Sequence, residues 1–275
     1  AGLKARRVYG VSPSRMTIDC TVNGAPIGAE VAPGPAELAL DLTAANAVDR
    51  VEVLKDNILE TMLVHSGSWE RQPLPERFAF KFEVEFGWGP ETRLFPDAAE
   101  KVWQGRLEVP GRILSIEKLW NSFGQQILDR REQSCDFRLT THRGTETGKW
   151  MGPSQVRRES LVFEVEGGID DVLRLTVDGE EYRLPVRQIL QGTRIYAQYR
   201  QSEQRITEKF GPTPHYRDDF IWHCAFKFRV RRAAPQAAYT LHRRLPLTLE
   251  AGSQYRLRVW LKNGDAAWLS PFFCR

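Results

Sequence analysis

The stretch Arg77-Phe78-Ala79-Phe80-Lys81-Phe82-Glu83-Val84-Glu85-Phe86-Gly87-Trp88 decides the fold class. Every even-numbered residue in it is apolar, and the odd-numbered positions include Arg77, Lys81, Glu83 and Glu85. Successive side chains of a β-strand point to opposite faces of a sheet, so this alternation is typical of a strand. The stretch therefore predicts one long strand with an apolar face in the core and a charged face in water.

The same period of two recurs along most of the chain. It is longest in residues 220–230 and 255–261, and shorter runs cover residues 16–22, 37–42, 48–54, 161–166 and 172–177. Asn23-Gly24, Asp178-Gly179 and Asn263-Gly264 supply the dipeptides that tight hairpins prefer. The best helical candidates, residues 121–132 and 198–209, are only weakly amphipathic.

These patterns predict an all-β protein built from two antiparallel β-sandwich-like domains. Pro and Gly cluster in residues 89–96 and again in residues 211–214, where we expect loops. We assign residues 1–96 plus 241–275 to the first domain and residues 97–240 to the second. An insertion of the second domain into the first is one arrangement that fits these boundaries.

Composition narrows the class without naming an activity. The 275 residues carry a formal net charge of +4 and are 41% hydrophobic, which excludes collagen, low complexity and wholesale disorder. The four cysteines form no C-x-x-C pair, and we favour buried free thiols over disulfides between distant positions. No apolar run reaches the roughly 20 residues of a membrane span, and no signal peptide is visible. We expect a soluble chain, and its localisation stays open.

Several short segments occur in an order that matches a known family. They are Arg6-Arg7-Val8-Tyr9, Val22-Asn23-Gly24-Ala25-Pro26-Ile27-Gly28, residues 48–57, 85–89, 102–109 and 255–260, and the closing Ala267-Trp268-Leu269-Ser270-Pro271. Together they resemble the C-terminal β-region of an uncharacterised family related to PHP-type (polymerase and histidinol phosphatase) metallophosphoesterases. The resemblance spans most of the chain, and its specificity comes from the shared order of the segments.

The catalytic half of that family has no counterpart among these residues. The family's metal chemistry would use His and Asp ligands, including an early His-x-His, and this sequence contains no His-x-His. The resemblance therefore implies a non-catalytic accessory region, with no cofactor in this chain. Its expected partner is an N-terminal catalytic domain of the same protein, for which it would support or position substrate.

Few residues form a recognisable catalytic or metal-binding pattern. The nearest is His215 with Asp218 and Asp219, residue types that ligate transition metals, although an exposed turn is the simpler interpretation. Ser66 and Ser68 follow His65 without a G-x-S-x-G elbow, which favours a loop over a nucleophile. A further group, which fits hairpin ends as well as a Ca²⁺ site, comprises Asp170, Asp171 and Asp178.

Tryptophan and arginine give the best binding signal. Trp69, Trp120 and Trp150 lie in polar surroundings where an indole could stack on a sugar ring, although partial burial is the simpler interpretation. Trp88 and Trp222 fall on apolar faces and are assigned to the core, and His223 to a polar strand face. Arginine alternates with apolar residues in pairs that could form one basic face or an ordinary solvated face: Arg229 and Arg231, Arg256 and Arg258, Arg183 and Arg187.

The sequence thus leaves two main function hypotheses. The first is the accessory region of a PHP-like metal-dependent hydrolase. The alternative is a carbohydrate-binding protein that uses exposed tryptophans, with a glycan or an acidic ligand as its partner. An enzyme with a site assembled between the two domains is a third possibility, and neither a membrane nor a nucleic acid is an expected partner.

Overall fold

The computed structural model describes residues 2–118, 124–143, 156–212 and 218–275, and for residues 156, 157 and 218 it describes the backbone alone. By their internal contacts these residues form two compact units. Unit 1 comprises residues 1–75 and 234–275, and unit 2 comprises residues 76–233. Strands dominate both units, which confirms the predicted all-β fold class.

The elements follow one another in chain order. The first segment of unit 1 contains β1 (Tyr9–Val11), β2 (Met16–Val22), β3 (Ala25–Pro26), β4 (Glu30–Val31), β5 (Gly34–Ala44), β6 (Val48–Lys55) and β7 (Ile58–Val64). Unit 2 begins with β8 (Phe78–Trp88), a 3₁₀ turn (Pro96–Ala99), β9 (Glu100–Glu108), β10 (Arg112–Lys118), β11 (Gln126–Arg130), β12 (Ser134–Arg143), β13 (Val156–Arg157) and β14 (Glu159–Gly167).

Unit 2 continues with β15 (Val172–Val177), β16 (Glu180–Pro185), α1 (Val186–Gln191), β17 (Arg194–Ala197), α2 (Tyr199–Phe210), α3 (Asp218–Cys224) and β18 (Lys227–Val230). The return segment of unit 1 contains β19 (Ala234–Pro235), α4 (Gln236–Tyr239), β20 (Thr240–Leu249), β21 (Gln254–Leu261), β22 (Ala266–Leu269) and β23 (Phe272–Cys274). No helix of the described ranges is long and apolar enough to cross a membrane.

Unit 1 is a sandwich of two sheets. One sheet has the order β1-β22-β21-β23-β4, with β6 on β21 and β7 on β6, and the other has the order β20-β5-β2-β3. Their inner faces share a core that includes Leu40, Val51, Leu257 and Phe272. Strand β7 is an edge strand, and its apolar residue Ile58 is 74% exposed.

Unit 2 is a second sandwich with an aromatic core. Strands β10-β14-β8-β18-β17 form one sheet, and β11-β12-β9-β15-β16, with β13 on β12, form the other. The even-numbered residues of β8 from Phe78 to Phe86 pack inward as predicted, whereas Trp88 does not: Phe86 lies 5.0 Å from the Trp103 ring and 6.0 Å from the Phe137 ring. Such tilted aromatic contacts add to the stabilisation that burial provides.

The unit boundaries differ from the predicted domains. The sequence places the changes at residues 96/97 and 240/241, whereas the structure places them at residues 75/76 and 233/234. Strand β8 pairs with β14 and β18, so it belongs to unit 2 and not to the first domain. The Pro/Gly loop after Trp88 is thus an internal loop of unit 2.

Two predictions about secondary structure are wrong. Residues 220–230 are not one strand, because α3 runs to Cys224 and only β18 follows as a strand. Ile221 and Ala225 interrupt the alternation with apolar residues on the polar face, so the pattern fits a helical turn equally well. Residues 126–130 form β11 and not a helix, while the helix predicted for residues 198–209 exists as α2.

The prediction that the charged face of β8 lies in water is also wrong. Lys81, Glu83 and Glu85 are only 5%, 8% and 5% exposed. Buried charges need partners, and the register supplies them: Glu85 is opposite Arg229 on β18 and Ser160 on β14. The outer face of this sheet is therefore a layer of ion pairs.

A glycine in the centre of unit 2 tests the aromatic core. Gly105 on β9 is opposite Phe137 on β12, and a Cβ atom at Gly105 would lie 2.1 Å from the Phe137 Cζ atom. Gly105→Ala must displace a buried ring, so we expect the free energy of unfolding to fall by about 2–3 kcal/mol. Urea denaturation measures this loss.

Gly192 provides the matched control in the same unit. A Cβ atom there meets nothing within 4 Å, and its φ of −174° is ordinary extended backbone. Gly192→Ala should change the free energy of unfolding by less than about 0.5 kcal/mol. Equal losses for the two variants would contradict the packing assigned to Phe137.

Candidate functional site

A pocket of about 360 Å³ lies at one end of the β8–β18 sheet of unit 2. Its lining combines two indoles with basic side chains: Trp88, Gly89, Arg143, Ile195, Trp222, His223 and Lys227. These seven residues include no carboxylate. Volumes of a few hundred Å³ with a few converging polar groups are typical of small-molecule sites.

A β-bulge places Trp88 and Lys227 side by side. Phe228 pairs with Phe86, but the preceding Lys227 pairs with Trp88, so Gly87 is an additional residue on β8. Its φ of +139° is a conformation that favours glycine. Bulges redirect the side chains that follow them, and here Trp88 is directed next to Lys227.

Lys227 is held in the pocket by weak interactions. Its Nζ atom donates a hydrogen bond to the Ala225 carbonyl oxygen at 3.0 Å and lies 5.1 Å from the centroid of the Trp222 ring. Burial, and secondly the positive charge of Arg143, lower the pKa of Lys227 to about 8. A substantial fraction of this amine is therefore neutral at a pH near 8.

Arg143 contributes a second cation at the end of β12. Its guanidinium donates to the Pro90 carbonyl oxygen, and its buried Nε atom has no hydrogen-bond partner among the residues that the structure describes. Burial lowers the pKa of Arg143, with Glu91 opposing the effect. A buried donor without an acceptor is costly, so an anionic ligand that accepted from Nε would be stabilised there.

The two indoles have different surroundings. The guanidinium carbons of Arg158 and Arg229 lie 4.7 Å and 5.0 Å from the centroid of the Trp88 ring. Trp222, on α3, contacts Lys227 and lies 6.0 Å from the Tyr199 ring. We interpret Trp88 as a fixed wall of the pocket and Trp222 as the ring with a face for a ligand.

Glu85 fixes the arginines behind Trp88. Its carboxylate accepts from Arg229 Nε, lies 3.0 Å from Arg231 Nη2 and lies 3.6 Å from Arg158 Nη1. Arg231 also reaches Glu83, at 3.1 Å. Burial raises the pKa of Glu83, and Arg231 opposes that shift. Arg229 and Arg231, predicted to bind a ligand, are thus engaged by strand carboxylates.

The other predicted binding residues do not meet at this pocket. Trp69 is buried at 8% exposure and packs with Ala47, Ala238 and Tyr239, so its indole is not available as a surface platform. Trp120 and Trp150 lie outside the described residues. The predicted exposed-tryptophan surface therefore loses Trp69.

The candidate metal and catalytic residues show no assembled centre. His215 and the side chain of Asp218 lie outside the described residues, and Asp219 is an exposed residue of α3. Asp171 accepts from the Gly168 N–H, and Asp178 forms an ion pair with Lys101. Over the described ranges, no three His, Cys, Asp or Glu side chains are arranged to hold a metal ion.

His65 and Ser68 do touch each other. Ser68 Oγ lies 3.2 Å from His65 Nδ1, but it also contacts the His65 carbonyl oxygen closely. His65 is buried, burial lowers its pKa, and its Nε2 lies 2.7 Å from the Ala237 carbonyl oxygen. We interpret the contact as one that fixes the turn after β7.

For the arginine pairs, the sequence left two interpretations open, one basic face or an ordinary solvated face. Arg256 and Arg258 lie on β21 of unit 1, whereas Arg229 and Arg231 belong to unit 2. In unit 1, Arg258 and Arg50 both pair with Glu52, and their guanidiniums lie 5.3 Å and 5.1 Å from the Trp260 ring. Arg50 and Arg258 thus form structural ion pairs.

None of the seven lining residues was predicted from the sequence to bind a ligand. The alternation assigned Trp88 and Trp222 to the core and gave no role to Arg143 or Lys227. The available signal was local: Gly87 interrupts the apolar strand just before Trp88, which is typical of a bulge. The four cysteines, by contrast, are buried free thiols as predicted.

Three comparisons, with protein-family models, with curated proteins and with solved structures, found no match for this chain. The resemblance to the PHP-related family therefore stays a prediction.

The lowered pKa of Lys227 predicts a stability effect that needs no ligand. The unfolded chain, in which lysine has a pKa near 10.5, keeps a proton that the folded chain loses between pH 8 and pH 10.5. Folding stability should therefore rise with pH through that window. At pH 7, Lys227→Met should raise the free energy of unfolding by about 1–3 kcal/mol, and by pH 10.5 most of this gain should disappear.

Urea denaturation at the two pH values measures the gain. The exposed Lys4 is the control, because Lys4→Met removes a charge without relieving a burial cost. A gain of the same size at pH 7 and pH 10.5 would contradict the desolvated state assigned to Lys227.

Proposed function

We propose that unit 2 is a binding module for a small acidic saccharide, with the sugar ring against Trp222 and its acidic group between Lys227 and Arg143. The observation that carries the proposal is the pair of cations beside two indoles, in a lining of seven residues without a carboxylate. This function belongs to the second of the two classes that the sequence left open.

The two cations of the pocket are the reason for proposing an anionic group on the ligand. Elsewhere in unit 2, Arg229, Arg231 and Lys101 are paired with carboxylates, so their charges are already compensated. For Lys227 and Arg143 the structure gives only carbonyl oxygens as hydrogen-bond acceptors within its described ranges. A carboxylate, sulfate or phosphate would provide the missing negative charge through charge-assisted hydrogen bonds.

The indoles that line the pocket are the reason for proposing a sugar ring in the ligand. A tryptophan ring presents a large rigid apolar surface on which the C–H face of a sugar can stack. Trp222 is partly exposed at the pocket, and Ile195 beside it is 55% exposed. The volume of about 360 Å³ lies at the lower end of the range for ligand pockets, which favours one sugar ring over a long chain.

The accessory role in a PHP-like hydrolase is compatible with such a module. A pocket that takes an acidic sugar could hold a substrate for a catalytic domain. That role, its partner domain and the expected absence of a cofactor all stay predictions.

Calorimetry with glucuronate, its methyl glycoside and neutral glucose tests the proposal. The two acids should bind, and glucose should bind at least tenfold more weakly, because each charged hydrogen bond contributes about 1.5–3 kcal/mol. Lys227→Gln should weaken binding of the acids about tenfold or more, and Trp222→Ala at least about fivefold.

Trp268 offers a matched control for the loss of an indole. It lies on β22 of unit 1, is 43% exposed, and is not part of the pocket lining. Trp268→Ala should leave the affinity unchanged, and near-ultraviolet circular dichroism shows that each variant is folded. Equal affinities for glucose and glucuronate would contradict the proposal.

The pKa of Lys227 also predicts how affinity changes with pH. With a pKa of about 8, the protonated fraction of Lys227 falls from about nine-tenths at pH 7 to about one-tenth at pH 9, and only the protonated form attracts the anion. Affinity for the methyl glycoside should therefore fall about tenfold over this range. Lys227→Arg keeps the charge, so its affinity should be nearly constant between pH 7 and pH 9. A tenfold fall in that variant as well would assign the titration to another group.

A further inference from the structure

We infer that the Lys227 amine condenses reversibly with the carbonyl carbon of a small acid that carries an aldehyde or keto group, forming an imine in the pocket. The inference rests on the proposed function and deepens it, because open-chain acidic sugars carry both groups. Uronic acids combine an aldehyde with a carboxylate, and 2-oxo sugar acids place a ketone next to one.

The environment of Lys227 differs from that of other partly buried lysines. Four of them form ion pairs with a carboxylate: Lys55 with Glu250, Lys81 with Glu117, Lys101 with Asp178 and Lys262 with Glu70. Lys227 has no carboxylate partner among the described residues, and its Nζ atom is on the pocket wall against the Trp222 ring. A desolvated lysine beside another cation is the usual environment of an amine nucleophile.

Burial and the charge of Arg143 disfavour protonation of Lys227, and Cys224 opposes them without reversing the direction of the pKa shift. Arg143 and His223 line the same pocket, and Cys224 is a buried thiol whose pKa is raised by desolvation. On the adjoining strands the charge of Arg229 is compensated by Glu85. The resulting pKa of about 8 leaves roughly a quarter of the amine neutral at pH 7.5, against well under a hundredth for an ordinary lysine.

The condensation balances without any further reactant. The nitrogen lone pair attacks the carbonyl carbon, and a C–N bond forms while the C=O π electrons move to oxygen. A proton passes from nitrogen to that oxygen to give a carbinolamine, which then loses water to form the C=N bond. No atom is oxidised or reduced overall. Arg143 would hold the carboxylate of the same molecule and thereby orient its carbonyl group towards Nζ.

Reductive trapping of the full chain tests this reaction. The chain is incubated at pH 7.5 with glyoxylate and cyanoborohydride, which converts an imine into a stable carboxymethyl-lysine that peptide mass spectrometry locates. Lys227 should be modified at least about tenfold faster than the exposed Lys4, since its larger neutral fraction outweighs its lower basicity. A rate at Lys227 no higher than that at Lys4 would overturn the inference.

Glycolaldehyde, which lacks the carboxylate, tests the part assigned to Arg143. Arg143→Gln removes a positive charge that lowers the pKa of Lys227, so both reactions should slow, and the glyoxylate reaction should slow about tenfold more than the glycolaldehyde reaction. The glycolaldehyde reaction also shows that the variant keeps its pocket. If glycolaldehyde modifies the unsubstituted protein at Lys227 as fast as glyoxylate does, the inferred acid specificity is wrong.

The methyl glycoside of glucuronate separates this inference from the proposed function, because it is acidic but has no free carbonyl group. If it binds and Lys227 is not trapped, the imine is wrong and the binding function stands. If Lys227 is trapped by glyoxylate but sugar acids do not bind, the imine stands and the saccharide assignment fails. Failure of both measurements rejects both.

Discussion

The outer face of β8 depends on one constraint: a buried carboxylate must be paired, and Glu85 is paired with three arginines. Strand β8 is central in its sheet, and Glu85 on its outer face is only 5% exposed. Removing one partner from a buried ion pair leaves an uncompensated charge, which costs about 3–5 kcal/mol. Arg229 and Arg158 both reach Glu85, and their guanidiniums lie over the Trp88 ring.

A buried carboxylate paired with arginines that lie over an indole occurs in both units. In unit 1, Glu52 is buried on β6 and pairs with Arg50 and Arg258, which lie over Trp260. In each case a strand carboxylate holds two arginines against one indole. The units differ at the end of the sheet, because in unit 2 the bulge at Gly87 brings Lys227 next to the indole. The ion pairs are thus part of the scaffold, and the bulge creates the candidate site.

The fold could be predicted from the sequence further than the site could. Period-two alternation located β8 and β15 to the residue, because both strands have one face against an apolar core. It failed in residues 220–230, where apolar side chains at consecutive positions satisfy a strand and a helix alike. It also failed for Glu83 and Glu85, since alternation shows that a face is polar but not whether another layer covers it. The pocket could not be predicted from the sequence, because Arg143 on β12 and Lys227 on β18 are 84 positions apart and belong to different sheets of unit 2.

The cations of the candidate site differ from paired cations of unit 2 such as Arg229, because they have no ion pair with a carboxylate among the described residues. Arginines on strands are common, and those that lie opposite glutamates, such as Arg229 and Arg231, contribute to the sandwich itself. Lys227 and Arg143 have lowered pKa values, which means that folding works against their charged forms. A fold optimised for stability alone would replace such residues, and Lys227 faces a cavity where an apolar side chain would be accommodated. Both cations lie at the pocket that Trp222 also lines, and the proposed ligand would compensate both charges. An anion bound by these two cations would be attracted strongly, because Coulomb attraction is strongest where water is excluded.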